Sequence, residues 1–441
     1  MPDIYEIVNS TQLDSDLEDI ADAIRAKTGG QSALDFPNEF ISEIASIPTG
    51  GASITGATDQ SVKALEAIAA NDTVEIFKST VIGRLKILST GLGAKSQKCR
   101  YNKTGTRLAV VGGGSYIKIY DSSTTAYSEL SVISSYPSGV CYDCAWSADG
   151  NRLAIAHNSS PFITIYDTTT TPYTKIADPA TLPAGNAQGC SWSPDGTRLA
   201  VAHETSRYIT IYDTTTTPYT KIADPASLPP GIGHCCDWSP DGTRLAVGHS
   251  SSPFVTVYDT TTTPYTALPA LTSPGGICYG IAWNPDGTRL AAAAGSSPYM
   301  GIYNTTTTPY TKLTNPSTLP GGSGNACCWS SDGTYLCIGH SKSTYISIYK
   351  TTSTPYTKVT GSSYTPNGAS STVGIYGIAM HDVFIAVASG GTTATASRPT
   401  LYVLGDRVAK ASNVLNKDCK LGYAPSAVAK DATGTVKVLF T

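Results

Sequence analysis

The chain has 441 residues, of which 40% are hydrophobic and 14% charged, so it can bury a large core and is not a disordered tail. Its net charge of −3, with scattered lysine and arginine, excludes the basic surface typical of nucleic-acid or acidic-membrane binders. The first residues lack the features of a signal peptide, and no run of about 18 apolar residues predicts a membrane span.

Residues 1–50 predict two short amphipathic helices, because their apolar residues recur at helical spacing. The candidate anchor residues on these stripes are Leu13, Leu17, Ile20, Ile24, Phe40 and Ile44. Helices this short need a partner to bury their apolar faces. We therefore predict that residues 1–50 anchor or oligomerise the protein, with a helical cap on the rest of the chain as the alternative. Residues 51–73 predict a Gly/Ser/Thr-rich linker and a third short helix.

From Val74 onward the chain repeats one motif, seen in SADGNRLAIAH, SPDGTRLAVAH, SPDGTRLAVGH, NPDGTRLAAAA and SSDGTYLCIGH. The glycines of these Asp-Gly turns are 45 or 46 residues apart. A weaker copy surrounds Gly105, and degenerate copies surround Asp382 and Gly434. A period of this length is typical of propellers and solenoids.

Each repeat predicts four strands. The first ends at a tryptophan, an Asp-Gly hairpin turn follows, and the second strand is apolar at nearly every position, which indicates cover on both faces. An alternating third strand and a short fourth strand, PYTKI, complete the unit. Such a unit is stable only between like neighbours, so residues 74–441 predict an all-β propeller of four-stranded antiparallel blades.

The two ends of the repeat region complete each other. The apolar spacing of Val74–Ile87 matches strands three and four, and the last twenty residues match strands one and two. We therefore expect N- and C-terminal strands to share one blade and close the ring. Counting half-blades favours eight blades, with seven as the alternative.

The 11 cysteines do not suggest a disulfide scaffold. Five of them lie two residues before the tryptophan or tyrosine that ends a first strand, namely Cys99, Cys144, Cys190, Cys236 and Cys327. This spacing places both side chains on one face of the strand, where cysteine acts as a small core residue. Cys141 and Cys144 form a single CxxC on a strand, for which packing is favoured over zinc binding.

The linkers from each fourth strand to the next first strand differ between repeats, whereas the Asp-Gly and TTTTPYT turns hardly change. The linkers share a face with the turns between strands two and three, so we expect any binding surface on this varied face. Simple drift of long loops is the alternative. The candidate ligand-binding residues are His157, His203, His249, His340, Asn186, Gln188, His234, Tyr136, Tyr142 and Tyr279. The tyrosines would suit sugar rings.

The first four of these histidines end second strands at equivalent positions, too far apart for one metal ion. Hydrogen bonding within the turn is the favoured role and ligand contact the second. We predict no metal, no cofactor and no catalytic residue, because no nucleophile, metal or nucleotide motif is present. A glycan-active enzyme, with Glu204 or Asp237 as its carboxylates, is the weakest alternative.

The Trp-x-x-Asp-Gly pattern and its spacing resemble WD-repeat propellers, although the third strand ends in Tyr-Asp rather than Trp-Asp. SPDGTRLAVAH and YTKIADPATLP more closely resemble propeller repeats of tailed-bacteriophage virion proteins, and IADAIRAKTGG resembles the start of phage tail-associated proteins. The resemblance implies a virion protein, assembled in the bacterial cytoplasm, that presents its propeller for adsorption or assembly. Its partners would be virion proteins or copies of itself, and a host-surface glycan or protein. A cellular scaffold or adhesin is the alternative.

Overall fold

The computed structural model describes residues 88, 95–114, 116–123, 127–133, 135–342, 345–359, 374–381, 384–390 and 399–402, and the strand backbones at 61–64, 74–76, 82–87, 403–404, 407–410 and 433–435. The anchor residues predicted within 1–50 lie outside these ranges. All the described elements are strands. The described residues therefore include no long apolar helix that could cross a membrane.

Seven four-stranded antiparallel sheets form a seven-bladed β-propeller. Blades 1 and 2 comprise β4 (Ser96–Tyr101), β5 (Arg107–Gly112), β6 (Tyr116–Asp121), β7 (Ser128–Leu130), β8 (Cys141–Trp146), β9 (Arg152–His157), β10 (Ile163–Asp167) and β11 (Thr174–Lys175). Blades 3 and 4 comprise β12 (Ala187–Trp192), β13 (Arg198–His203), β14 (Ile209–Asp213), β15 (Thr220–Lys221), β16 (Gly233–Trp238), β17 (Arg244–His249), β18 (Val255–Asp259) and β19 (Thr266–Ala267).

Blades 5 and 6 comprise β20 (Cys278–Trp283), β21 (Arg289–Ala294), β22 (Met300–Asn304), β23 (Thr311–Lys312), β24 (Gly324–Trp329), β25 (Tyr335–His340), β26 (Ile346–Lys350) and β27 (Thr357–Lys358). Blade 7 comprises β28 (Gly374–His381), β29 (Phe384–Gly390), β30 (Thr400–Leu404) and, as its fourth strand, β3 (Ile82–Ile87). N- and C-terminal strands therefore share the closing blade, as expected from the sequence, but the C-terminal strands are β28 to β30 rather than the last twenty residues.

The remaining strands form a separate four-stranded sheet, in the order β2-β31-β1-β32. These strands are β1 (Ser61–Ala64), β2 (Val74–Ile76), β31 (Arg407–Lys410) and β32 (Thr433–Thr435). Strand β1 pairs parallel with β31 and antiparallel with β32, and β2 pairs antiparallel with β31. Residues 61–64 are thus a strand within the segment predicted as linker and short helix.

The favoured count of eight blades is wrong, and the alternative count of seven is correct. Strands β2 and β3 belong to different sheets, so Val74–Ile87 is not the second half of a blade. The copy around Gly434 contributes β32 to the separate sheet rather than a first-and-second-strand pair to the ring. Alternating apolar residues mark any half-buried strand and do not identify its partner, which explains the error.

The first strands line the centre of the ring. Each contacts the first strand of the next blade, from β4 through β8, β12, β16, β20 and β24 to β28, and β28 contacts β4. The second strands are buried on both faces, as their apolar sequences predict, and Leu199, Ala200, Val201 and Ala202 are fully buried. The core is therefore a series of interblade layers. One such layer packs β9 and β10 against β12 and β13.

Tryptophans hold neighbouring blades together. Trp192 in blade 3 donates from Nε1 to the carbonyl oxygen of Ala145 in blade 2 at 3.2 Å, and its ring packs edge-on against Tyr219. The guanidinium of Arg152 in blade 2 lies over this indole and donates to the Tyr219 hydroxyl at 3.2 Å. These contacts explain why a tryptophan recurs at the end of the first strand.

The cysteines that the structure describes are free and buried. Burial raises the pKa of Cys99 and of Cys141 to about 12, so both remain protonated thiols at neutral pH. Cys141 pairs with His157 and Cys144 with Ile155 across the β8–β9 ladder, which places both in the blade core.

Candidate ligand-binding site on the varied face

The first strands all contain a β-bulge at the same place. In each blade the register between the first strand, here called the inner strand, and the second strand shifts near the start of the inner strand, as between Cys141 and Asp143 in blade 2. The other shifts lie between Ser96 and Lys98, Ala187 and Gly189, Gly233 and Cys235, Cys278 and Gly280, Gly324 and Ala326, and Ile375 and Gly377. Bulges commonly redirect a side chain near a functional site.

The extra residues at these seven bulges define a set that we call the mouth ring. Its members, in blade order, are Gln97, Tyr142, Gln188, His234, Tyr279, Asn325 and Tyr376. Each lies near the start of an inner strand, on the face that carries the interblade linkers. All seven side chains are at least partly exposed, and Tyr376 is 37% exposed.

The linkers do share this face with the turns between strands two and three. The amide of Asn158, which follows β9, donates to the carbonyl oxygen of Val140, which precedes β8. Equivalent bonds join Glu204 to Asn186 and Ser250 to Ile232. The mouth ring therefore lies on the varied face predicted from the sequence.

Inner strands approach one another closely below the mouth ring. A Cβ atom at Gly280 would lie 2.8 Å from Cα of Ala326, and one at Gly377 would lie 2.6 Å from Cα of Lys98. Small residues are therefore required there, and the backbones that carry the mouth ring are closely packed.

Two of the ring tyrosines lie against bare backbone. A Cβ atom at Gly390 would lie 2.4 Å from Cε2 of Tyr376, and one at Gly295 would lie 3.1 Å from Cε2 of Tyr279. The imidazole of His234 packs against Tyr279, with ring centroids 5.2 Å apart. Burial lowers the pKa of His234, although Glu204 opposes the shift, so this imidazole is neutral at pH 7.

Glu204 orients two amides beside the ring. Its carboxylate accepts a hydrogen bond from Nδ2 of Asn186 at 2.9 Å and another from Nε2 of Gln188 at 2.7 Å. Both carboxylate oxygens thus have partners, and the amide of Gln188 is held in one orientation.

Two other carboxylates lie on the inner strands. Asp143 is buried and accepts hydrogen bonds from the amides of Cys144 and of Cys190 in the next blade. Asp237 likewise accepts from the amide of Trp283 at 2.9 Å, and burial raises its pKa to about 6. Each carboxylate therefore links neighbouring inner strands, which is a structural role.

The structure brings together only part of the predicted site. Tyr142, Gln188, His234 and Tyr279 are members of the mouth ring, and Asn186 adjoins it through Glu204. Tyr136 is not a member of the ring, because it precedes the inner strand in the linker before blade 2, and it is 53% exposed. Sequence reasoning missed the amides of Gln97 and Asn325. Both lie four residues before the aromatic residue that ends the first strand, a position whose residue type varies between repeats.

The four strand-end histidines are scaffold groups in this structure. All four are fully buried, and Nε2 of His157, His203 and His249 lies 2.9–3.0 Å from a threonine hydroxyl on the third strand, while that of His340 lies 3.1 Å from Ser347 Oγ. Burial lowers the pKa of each to about 4. Because these side chains have no solvent-exposed area, no ligand can contact them in this structure. Hydrogen bonding within the blade explains their position.

A cleft lies away from the mouth ring, between blades 1 and 2. This cleft of about 320 Å³ is lined in part by Arg107, Trp146 and Tyr173, which belong to the interblade packing. Arg107 donates to Asp121 of its own blade at 3.3 Å, and the cleft is the space beside that ion pair. Among the described residues, no cluster of three or more His, Cys, Asp and Glu side chains is arranged to hold a metal ion.

Comparison with known proteins supports the fold. No protein-family model matches the sequence, and no curated protein matches it. Among solved structures, the chain is similar to the Cps50 (Swd1) β-propeller domain of Myceliophteria thermophila, with a TM-score of 0.55 and 15% identity over 72% of this chain and 99% of that one. The chain is thus a seven-bladed propeller with a WD-repeat-like structural neighbour. At this identity, the likeness concerns the fold alone.

Proposed function

We propose that this protein is a non-catalytic binding scaffold that holds its ligand at the mouth ring. The observation that carries the proposal is the contrast between two faces of one repeated unit. The Asp-Gly and Thr-rich turns repeat from blade to blade, whereas the bulged residues change from glutamine to tyrosine, histidine or asparagine. A set of different polar and aromatic groups on a repeated frame is what selective binding requires.

The frame favours binding because it is rigid. Mouth-ring residues are carried by inner strands that pack closely on both neighbours, so little conformational entropy is lost when a ligand binds. The bulges add no mobile loop, and Tyr279 and Tyr376 rest on glycine backbones. The carboxylates of Asp143, Glu204 and Asp237 are each engaged by protein donors, which favours binding over acid–base catalysis.

The location of the site is tested by paired triple variants of the full chain. One carries Tyr142→Ala, Gln188→Ala and Tyr279→Ala in the mouth ring. The matched control carries Thr170→Ala, Thr216→Ala and Thr262→Ala on exposed turns of the other face. Both are screened, with the parent, on one array of oligosaccharides and peptides. Any ligand of the parent should be lost by the ring variant and kept by the turn variant. Ligands kept by the ring variant would refute the proposal.

The setting in which the scaffold works is a finer proposal, supported by the repeat sequences alone. We propose a virion protein of a tailed phage, with residues 1–50 docking on other virion proteins or on further copies. The cellular scaffold or adhesin is a second candidate, and the observation that favours it is the likeness to the Cps50 (Swd1) propeller domain. Antibody labelling of particles from the source culture, viewed by electron microscopy, tests the choice: labelled virions are expected, and unlabelled virions would favour the cellular scaffold.

A further inference from the structure

We infer that the mouth ring recognises an uncharged oligosaccharide. The inference rests on the proposed function and adds the chemical class of the ligand. It depends on three features of the ring: the order of its side chains, the fixed position of its aromatic groups, and the absence of net charge.

Amide and aromatic groups alternate around most of the ring. Starting from blade 1, the order is Gln97, Tyr142, Gln188, His234, Tyr279, Asn325 and Tyr376, so each amide has an aromatic neighbour on both sides. A carboxamide offers a donor and an acceptor in one plane, which matches a pair of adjacent sugar hydroxyls. A tyrosine offers an apolar face and a polar tip, which matches the apolar face and hydroxyl rim of a pyranose.

The aromatic groups are held ready for stacking. Tyr376 and Tyr279 lie against Gly390 and Gly295, where any Cβ atom would collide with or crowd the phenol ring. Glycine thus leaves the space that each phenol ring occupies beside the backbone. His234 packs against Tyr279 at a 54° interplanar angle, so two aromatic walls from adjacent blades meet at one place. Fixed rings lose little conformational freedom when a sugar ring stacks on them, which favours affinity.

The charge of the ring favours a neutral ligand. The ring contains no aspartate, glutamate, lysine or arginine, and burial lowers the pKa of its one histidine, His234. Glu204, beside the ring, already accepts hydrogen bonds at both carboxylate oxygens. On the inner strands below, Arg100 lies 3.9 Å from Asp143, and the two charges offset each other. A sialylated, sulfated or strongly charged peptide ligand would therefore find no carboxylate, ammonium or guanidinium of opposite charge among the seven ring side chains.

The test uses the full chain on an array with three classes of probe. These are neutral oligomers of glucose, galactose, mannose and N-acetylglucosamine, the sialylated and sulfated counterparts of such oligomers, and peptides of mixed charge. We expect binding to one or more neutral oligomers. By titration calorimetry with the best of them, Tyr279→Ala and Tyr376→Ala should each weaken binding about tenfold or more, and Tyr279→Phe should weaken it less because stacking is kept.

Tyr136→Ala is the matched control, because Tyr136 is an exposed tyrosine outside the ring, and it should bind as the parent does. Equal thermal midpoints for all four variants exclude unfolding as the cause of a loss. Binding of peptides alone, lost in the ring variants, would overturn the carbohydrate inference and leave the proposed site intact. Neutral-glycan binding that no ring variant weakens would instead overturn the proposed site, and an absence of glycan binding would overturn the inference.

Discussion

The indole nitrogen of Trp238 donates a hydrogen bond to the carbonyl oxygen of Ser191 in the preceding blade, at 3.2 Å. Trp146, Trp192, Trp283 and Trp329 make the equivalent bond across their own interfaces. The repeat tryptophan therefore fixes the position of each inner strand relative to the last one, in addition to filling space.

Trp238→Phe should lower the free energy of unfolding by about 1–3 kcal/mol, because it removes the indole donor, leaves the buried carbonyl of Ser191 without it, and reduces the contact with Arg198. Urea denaturation followed by circular dichroism measures the change. Arg198→Met keeps the indole bond and removes the guanidinium, which lies 4.4 Å from the indole centroid and donates to Thr260, Gly242 and Tyr265, so it measures the contribution of those contacts separately. A phenylalanine variant as stable as the parent would contradict the role given to this bond.

Inner and second strands of neighbouring blades show complementary side-chain size. A Cβ atom at Gly339 would lie 2.5 Å from Cγ2 of Ile375 in the next blade, whereas Ala293 faces the smaller Gly324 at the equivalent place. Gly339→Ala alone should therefore destabilise the protein by about 1–3 kcal/mol through overpacking. The double variant Gly339→Ala, Ile375→Gly should lose less stability than the sum of the two single losses, because the smaller residue removes the overlap. Strict additivity in the double-variant cycle would argue against this contact.

The buried histidines should make stability depend on pH. Folding lowers their pKa to about 4 from 6.5, so the unfolded chain binds more protons between these values. Their contribution is fully present above about pH 6.5 and is lost as the pH falls through about 4. We expect the urea midpoint to drop across this window.

Blade 5 shows which residues can replace a buried histidine and its threonine partner. It has Ala294 and Gly301 where blade 3 has His203 and Thr210. The double variant His203→Ala, Thr210→Gly should reduce the proton uptake on unfolding near pH 5 by up to about one proton. An unchanged pH dependence would mean that His203 titrates alike in the folded and unfolded states.

Asp237 should act with the opposite sign. Burial raises its pKa to about 6 from 3.8, so the folded state binds its proton more tightly and the charged form is disfavoured. Its contribution to stability is present below about pH 3.8 and is lost as the pH rises through 6. Asp237→Asn should therefore be more stable than the parent above pH 6, by roughly 1–2 kcal/mol since the carboxylate is partly exposed. A less stable variant at pH 7.5 would show that the hydrogen bond from the Trp283 amide and the attraction to Arg100 together outweigh burial.

The repeat allowed much of the ring to be predicted. Asp-Gly turns, continuously apolar second strands such as RLAVAH and a tryptophan at one position each have a local physical cause, so they are visible in any single copy. The partner strand of Ile82–Ile87 could not be predicted from the sequence, because its pairing with Thr400–Leu404 depends on closure of the ring over a long stretch of chain. The bulge was also invisible, since one extra residue leaves the apolar alternation almost unchanged. Gln97 and Asn325 were missed for this reason.

Closure of blade 7 by strand β3 has a consequence for the order of folding. During synthesis Ile82–Ile87 leaves the ribosome long before its partner strand, Thr400–Leu404, exists. Blades 1 to 6 can form in turn, but the outer edge of blade 7 and the contact of β28 with β4 must wait for the late strands. A nascent chain halted before Gly374 should therefore keep an open ring with β3 unpaired, and should require chaperone protection until elongation resumes.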